Sequence, residues 1–137
     1  MRNFYIFDIN NEFISITKTH PYALYKSFLD LHEMNKDEIK YGINIYNYLT
    51  KNIDKNFINN LLYSNLKDDN NYTKFLNIHN YNNYYNNEET KLTINNSYIK
   101  IESNSNIPLF FKYLYKYSHL FVCDFDNEDY FYLENIA

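Results

Sequence analysis

The residue types that most often bind metals or act as nucleophiles are sparse in this sequence. Its four histidines, His20, His32, His79 and His119, stand far apart, and none begins an HxxxH or HxxE pattern. Cys123 is the single cysteine, so an internal disulfide and a cysteine-based zinc cluster are both excluded. We therefore predict no metal site and no cofactor, and a structural role for Cys123 in the core.

The carboxylates give one candidate for acid–base chemistry. Asp124 lies between large apolar residues in FVCDFD, a context that would suit a buried catalytic carboxylate. Its place near a strand end, with Asp126 beyond it, favours a hydrogen bond that stabilises a turn. Asp8 and Glu12 flank a turn predicted at Asn10-Asn11, and we expect the same turn-stabilising role for them. Because no serine has the glycine neighbours of a nucleophile elbow, we predict no catalytic residues and no enzyme activity.

Charge and glycine content exclude further classes of function. The formal net charge is −4, whereas a general nucleic-acid-binding surface needs clustered lysine and arginine. A single glycine rules out glycine-rich phosphate loops. Lysines are interleaved with tyrosines at 112–117, as on protein surfaces that stack the bases of single-stranded nucleic acid. Their helical spacing instead favours a core-facing stripe of aromatic residues with two solvated lysines. Direct nucleic-acid binding is therefore not expected.

Aromatic residues are unusually frequent. The chain has 17 tyrosines, 11 phenylalanines and no tryptophan, a usage that indicates an AT-rich genome. So many aromatic side chains cannot all be buried in 137 residues, and exposed tyrosine is typical of protein interfaces.

The N-terminal third predicts two strands followed by helices. Residues 3–9 alternate as a first strand, Asn10-Asn11 suits a tight turn, and residues 12–17 predict a second strand. Phe13 would share the polar face of that strand with Thr17, where it could be a surface anchor or could pack under the following helix. Three helices are then predicted, from Pro21, from Lys36 to about Lys51, and after Asp54 as cap.

The C-terminal half predicts a hairpin, a helix and a final strand pair. An Asn- and Tyr-rich stretch at about 67–90 predicts a low-complexity surface loop. A hairpin turning at Asn95-Asn96 and a helix from Ile107 follow it. Residues 120–125 are apolar on both faces, which indicates an interior strand, and residues 130–133 predict its antiparallel return.

Together these elements predict an α+β fold. Its mainly antiparallel sheet would contain two N-terminal strands, a middle hairpin and two C-terminal strands, covered by about four helices. The length favours one domain over residues 1–137. Since no apolar run is long enough to span a membrane and no signal peptide is recognisable, we predict a cytoplasmic protein without membrane contact.

The two ends of the chain resemble one known family. An aromatic helix, then LFVCDF, a polar turn and YFYL are similar to the end of the sporulation inhibitor of replication (SirA) family. FYIFDINNEF at Phe4–Phe13 resembles that family's aromatic first strand, which ends in an acidic residue and Phe. The chain departs from the family pattern after the returning tyrosine, where Phe131-Tyr132 replaces Gly-Trp.

The resemblance implies a small inhibitor that binds the N-terminal domain of the replication initiator DnaA. In that family the Phe after the acidic residue contacts the initiator, which points to Phe13 after Glu12. The family has a second aromatic four residues later, where this chain has Thr17, and an amide contact would fall near Asn47. The resemblance thus implies a partner-binding patch with Phe13 as anchor and Thr17 and Asn47 at its rim.

Two other functions fit the residues. An inhibitor from a mobile element, such as an anti-CRISPR protein, would also be small, acidic and unlike an enzyme. A nucleic-acid-binding module that uses surface tyrosines is the alternative from a different class.

Overall fold

A computed structural model describes residues 1–35, 38–117 and 119–136. It confirms the α+β class: helices cover an antiparallel sheet of eight strands. The strands are β1 (Arg2–Ile9), β2 (Thr50–Lys51), β3 (Tyr72–Phe75), β4 (Ile78–Asn83), β5 (Glu88–Ile94), β6 (Ile99–Ser103), β7 (Leu120–Asp124) and β8 (Asp129–Tyr132). The helices are α1 (Asn11–Thr19), α2 (Pro21–His32), α3 (Ile39–Leu49), α4 (Lys55–Leu66) and the single turn α5 (Phe111–Leu114).

The first strand lies inside the sheet, whose order is β3-β4-β5-β6-β1-β7-β8. One edge of β1 pairs with β6 from Arg2 to Ile6, and the other pairs with β7 from Tyr5 to Asp8. The short β2 continues the β6 edge opposite Asp8 and Ile9. Both edges of β1 are therefore occupied, mostly by strands from the C-terminal half of the chain.

The sheet separates two apolar clusters. Phe4 and Ile6 of β1 point toward α4 and α5, whereas Phe7 and Ile9 point toward α2. In β7, Val122 belongs to the first cluster and Phe121 to the second, and all five residues of the strand are buried. The prediction of an interior strand here is confirmed, because only a strand covered on both sides buries consecutive side chains.

The predicted second strand at 12–17 is wrong. This segment lies within α1, and Phe13 and Thr17 are therefore one helical turn apart. Asn10 stands at the N-cap position with extended backbone and no side-chain cap hydrogen bond. Because β6, β2 and β7 already fill the edges of β1, no position beside it is left for a hairpin partner.

The predicted surface loop at about 67–90 is also wrong. It contains β3, β4 and the start of β5, which pair as an antiparallel meander. Tyr72, His79 and Tyr81 are buried, whereas residues 73–76 are exposed. The tight connections use Leu76 and Asn87 at φ of 52° and 53°. Asparagines at the turns and on the outer face give this segment its low-complexity appearance.

The remaining elements agree with the predictions apart from their bounds. The hairpin of β5 and β6, the start of α2 at Pro21 and the strand pair β7–β8 are confirmed. Asp54 caps α4 by accepting a hydrogen bond from the Phe57 backbone N–H at 3.1 Å. The helix predicted from Ile107 is shorter, with only α5 in that segment. The predicted helix start at Lys36 lies outside the described residues.

None of the helices in the described ranges is long and apolar enough to cross a membrane.

Candidate functional site: the junction of α1 and α3

The beginning of α1 is attached to the end of α3. The Asn10 backbone N–H donates to the Leu49 carbonyl oxygen at 2.8 Å, and Asn10 Nδ2 donates to the Tyr48 carbonyl oxygen at 3.4 Å. The Lys51 ammonium group, which lies 3.6 Å from an Asp8 carboxylate oxygen, also donates to Asn11 Oδ1 at 3.2 Å. These contacts bring two helices that are distant in sequence into one surface.

Phe13 lies at this junction and is half-buried. Its ring meets the Tyr48 ring edge-on, with 4.9 Å between centroids and 63° between planes. One side of Phe13 packs against the cluster that includes Phe7 and Phe28. The ring therefore packs on the core and also reaches the surface, and its role as an anchor for a partner stays a prediction. A ring held in this way loses little conformational entropy when a partner covers it.

Two exposed neighbours enlarge the apolar surface around Phe13. Ile16, one turn further along α1, is 64% exposed, and Tyr48 is 62% exposed. We call Phe13, Ile16, Asn47 and Tyr48 the α1–α3 patch. Sequence reasoning missed Ile16 and Tyr48. A helical assignment of residues 11–19 would have placed Ile16 beside Phe13, because residues three apart share a helix face.

Thr17 does not lie at the rim of the patch as expected. Its side chain is buried, and its hydroxyl donates to the Phe13 carbonyl oxygen at 2.6 Å. The same hydroxyl makes a short hydrogen bond with the Tyr132 hydroxyl of β8. Since the Thr17 proton is directed to Phe13, the Tyr132 hydroxyl is the donor in the second bond. Thr17 thus connects α1 to the sheet and supports the backbone that carries Phe13.

Asn47 is exposed on α3, next to Tyr48 in sequence. It also borders a surface cavity of about 360 Å³, together with Ile43 and Met34. Successive helical residues point about 100° apart, so Asn47 lies on the strip of α3 beside the one that carries Tyr48. The structure therefore brings Phe13 together with Tyr48, places Asn47 next to Tyr48 on α3, and turns Thr17 inward.

Burial displaces the pKa values of several ionisable groups. Burial lowers the pKa of His79 to about 4, and its neutral ring lies between the Tyr72 hydroxyl and Asn59 Oδ1, each at 2.7 Å. Burial raises the pKa of Tyr46 to about 12, and its hydroxyl donates to the Ser97 carbonyl oxygen. Burial also raises the pKa of the Cys123 thiol, which keeps it protonated and unreactive.

Asp124 has the turn-stabilising role predicted for it. Its buried carboxylate accepts hydrogen bonds from the Asn127 backbone N–H at 3.3 Å and the Asn127 side-chain amide at 2.8 Å. Arg2 Nε lies 2.7 Å from the same carboxylate, and another Arg2 nitrogen lies 2.9 Å from Asp129. The group connects β1 to the β7–β8 turn. Within the described ranges, no three His, Cys, Asp or Glu side chains are grouped to hold a metal.

Comparison with known proteins agrees with the resemblance at the two ends of the chain. The family model for the sporulation inhibitor of replication protein SirA matches residues 2–137. Comparison with curated proteins gives no significant match. Because the family match spans essentially the whole chain, it includes α1, α3 and the C-terminal strand pair. The chain belongs to the SirA family of sporulation inhibitors of replication.

Proposed function

We propose that this protein inhibits replication initiation by binding the N-terminal domain of DnaA through the α1–α3 patch. Membership of the SirA family implies a regulatory inhibitor of replication in sporulating cells. The identity of the partner and the position of its binding site are the proposal. The observation that carries it is the half-buried Phe13 ring, held against the exposed Tyr48 ring at the surface.

The chemistry of the patch suits a protein partner. Binding energy in protein interfaces concentrates in a few aromatic anchors surrounded by residues that exclude water. Phe13 would be the central anchor, with Tyr48 and Ile16 beside it and Asn47 supplying a polar contact at the edge. Thr17 would act indirectly, because its side chain is buried and can only position the Phe13 backbone.

With Thr17 in place of an aromatic residue, this chain would contact its partner differently from relatives that have the aromatic. The family has a second aromatic one turn after the Phe that matches Phe13, whereas Thr17 here points into the core. In this chain the exposed Ile16 and Tyr48 would provide the apolar area instead. The interface would therefore move toward α3.

Calorimetric titration with the DnaA N-terminal domain from the same organism tests the proposal. We expect Phe13→Ala to weaken binding by roughly 2 kcal/mol or more, or about 30-fold, with smaller losses for Tyr48→Ala and Asn47→Ala. Phe57→Ala is the matched control. Phe57 is 50% exposed on α4, its ring lies 5.5 Å from that of Tyr117, and α4 packs on the other face of the sheet.

The outcomes separate partner from site. Absence of binding by the wild-type protein would remove DnaA as the partner. Equal affinity of Phe13→Ala and wild type would remove the patch and leave the partner. Thermal melting of each variant must accompany the titration, because Phe13 also packs on the core, and a variant that unfolds reports on packing alone.

A further inference from the structure

A second feature of the molecule is a cavity between α2, α3 and the sheet, separate from the α1–α3 patch. Its volume is about 300 Å³, at the lower end of the range for small-molecule sites. We call it the aromatic cavity, since six of its nine lining side chains carry aromatic rings and a seventh is histidine. The lining consists of Tyr5, Phe7, Phe28, Leu31, His32, Tyr46, Ser97, Tyr98 and Phe125.

Four of the lining rings form two stacked pairs. Phe7 and Phe28 are buried and stack face to face, with centroids 4.1 Å apart and planes within 6°. At the mouth, the exposed His32 ring stacks on Phe125 at 4.4 Å and 17°. Tyr5 lies between these groups, 5.4 Å from Phe125. Each stacked pair covers one face of both of its rings, but the His32 ring is exposed. A flat occupant could extend the stack on the outer face of His32, whereas a branched aliphatic one could not.

The polar atoms of the cavity favour a heteroaromatic occupant. The lining includes Tyr5, Tyr98, Ser97 and His32, whose side chains carry polar atoms, beside the apolar rings. Small-molecule sites combine a mostly apolar wall with a few polar groups that orient the ligand. A ring with nitrogen or carbonyl atoms at its edge could use both kinds of group at once.

Charge argues against a cationic occupant. Aromatic cages that bind ammonium groups draw on the negative faces of their rings. Here the Lys100 ammonium group already lies 5.6 Å from the Tyr5 ring centroid. None of the described lining residues is acidic. Lys100, which also pairs with Glu102 at 3.7 Å, thus already occupies the cation position at the Tyr5 ring. No carboxylate of the lining could balance a second cation, whereas a neutral ring needs no such partner.

We propose that the aromatic cavity binds a planar heteroaromatic small molecule, of the size and polarity of a purine nucleoside. The ring would extend the His32–Phe125 stack by lying on the outer face of His32, beside Tyr5, with its polar edge turned to the tyrosine hydroxyls. This site uses no residue of the α1–α3 patch, so it stands or falls independently of the proposed function.

Titration of the full chain with adenosine and guanosine, each up to about 5 mM, tests the proposal by calorimetry and NMR. We expect saturable binding that changes little with salt, since stacking carries it, and weaker or no binding of tetramethylammonium. Adenosine monophosphate shows whether Lys100 adds affinity through a phosphate. NMR signals of Tyr5 and Tyr98 should shift with the same saturation curve.

Two matched pairs of variants locate the site. Phe125→Leu and His32→Ala should each weaken nucleoside binding about tenfold, as for the loss of one stacking ring. Phe131→Leu is the control for the first, because Phe131 packs beside Phe111 on the other face of the sheet. His20→Ala is the control for the second, because His20 is exposed and outside the cavity.

The proposal is overturned by no saturable binding of either nucleoside, or by tetramethylammonium binding as tightly as adenosine. It is also overturned if the cavity variants bind as well as their controls while all four variants retain the wild-type melting temperature. Should Phe125→Leu fail to fold, His32→Ala still decides, because the His32 side chain is exposed and its loss opens no buried space.

Discussion

Replacing Thr17 by valine tests how α1 is held on the sheet. Valine keeps the branched shape of threonine and removes only the hydroxyl. That hydroxyl donates to the Phe13 carbonyl oxygen at 2.6 Å and accepts from the Tyr132 hydroxyl. Tyr132 is 2% exposed, so water cannot easily replace the lost acceptor. The substitution therefore leaves a buried phenol hydroxyl without its partner on α1.

The magnitude follows from this loss. A buried donor without a partner costs about 1–3 kcal/mol, whereas removal of both partners can be nearly neutral. Thr17→Val should therefore lower the free energy of unfolding by about 2 kcal/mol. Tyr132→Phe should cost less, because the Thr17 hydroxyl keeps the Phe13 carbonyl oxygen as partner. The double variant should be more stable than the sum of the two single losses predicts, by about 0.5 kcal/mol or more.

Urea denaturation of the four proteins in this cycle measures the coupling. Thr19→Val is the matched control: Thr19 is exposed on the same helix and donates to the Ile16 carbonyl oxygen at 2.8 Å. Its loss should stay within about 0.5 kcal/mol. Affinity for the DnaA N-terminal domain, measured where all variants are folded, should fall less in Thr17→Val than in Phe13→Ala, since Thr17 can act only through the Phe13 backbone.

Two results would refute this reasoning. Additive losses in the cycle would show that the two hydroxyls do not interact. A stable Thr17→Val protein that loses as much affinity for the DnaA domain as Phe13→Ala would refute the indirect role of Thr17.

Other predictions concern the core, pH and nucleic acid. Val122→Asp should cost roughly 3 kcal/mol or more, because it buries an unpaired charge at a fully buried position, whereas Thr73→Asp on the exposed side of β3 should barely change thermal melting. Equal melting temperatures would contradict the interior position of β7. Burial lowers the pKa of His79 from 6.5 to about 4, so the unfolded chain takes up a proton that the folded chain does not. Stability should therefore fall as the pH drops from 6.5 to about 4, by roughly 3 kcal/mol at most, and urea denaturation of His79→Gln should show a smaller fall. Fluorescence anisotropy with single- and double-stranded oligonucleotides should show no salt-sensitive micromolar binding at a net charge of −4, and such binding would favour the tyrosine-based nucleic-acid module.

The elements that could be predicted from the sequence are those whose own residues are compatible with only one secondary structure. Residues 120–124 are apolar or buried on both faces, and only an interior strand accommodates such a run. Pro21 and Asp54 mark helix starts through local backbone chemistry, which does not depend on distant residues. The turn role of Asp124 follows from the same local logic, although its pairing with Arg2 does not.

Segments whose patterns fit two structures were decided by distant strands. Residues 12–17 alternate like a strand, yet β6 and β7 occupy the edges of β1 and leave α1 to form a helix. Residues 72–83 have few aliphatic side chains. Their strands are stabilised because Tyr72, His79 and Tyr81 are buried, the two tyrosines in the apolar cluster that also contains α4 and α5 side chains.

The candidate site divides in the same way. The sequence by itself, through its resemblance to the SirA family, indicated Phe13 and a position near Asn47. Only the tertiary structure decided that Tyr48 meets Phe13 and that Thr17 turns inward to Tyr132. The physical reason is that these contacts join residues 35 and 115 positions apart, and no local pattern encodes which distant side chains the packing of α1 brings together.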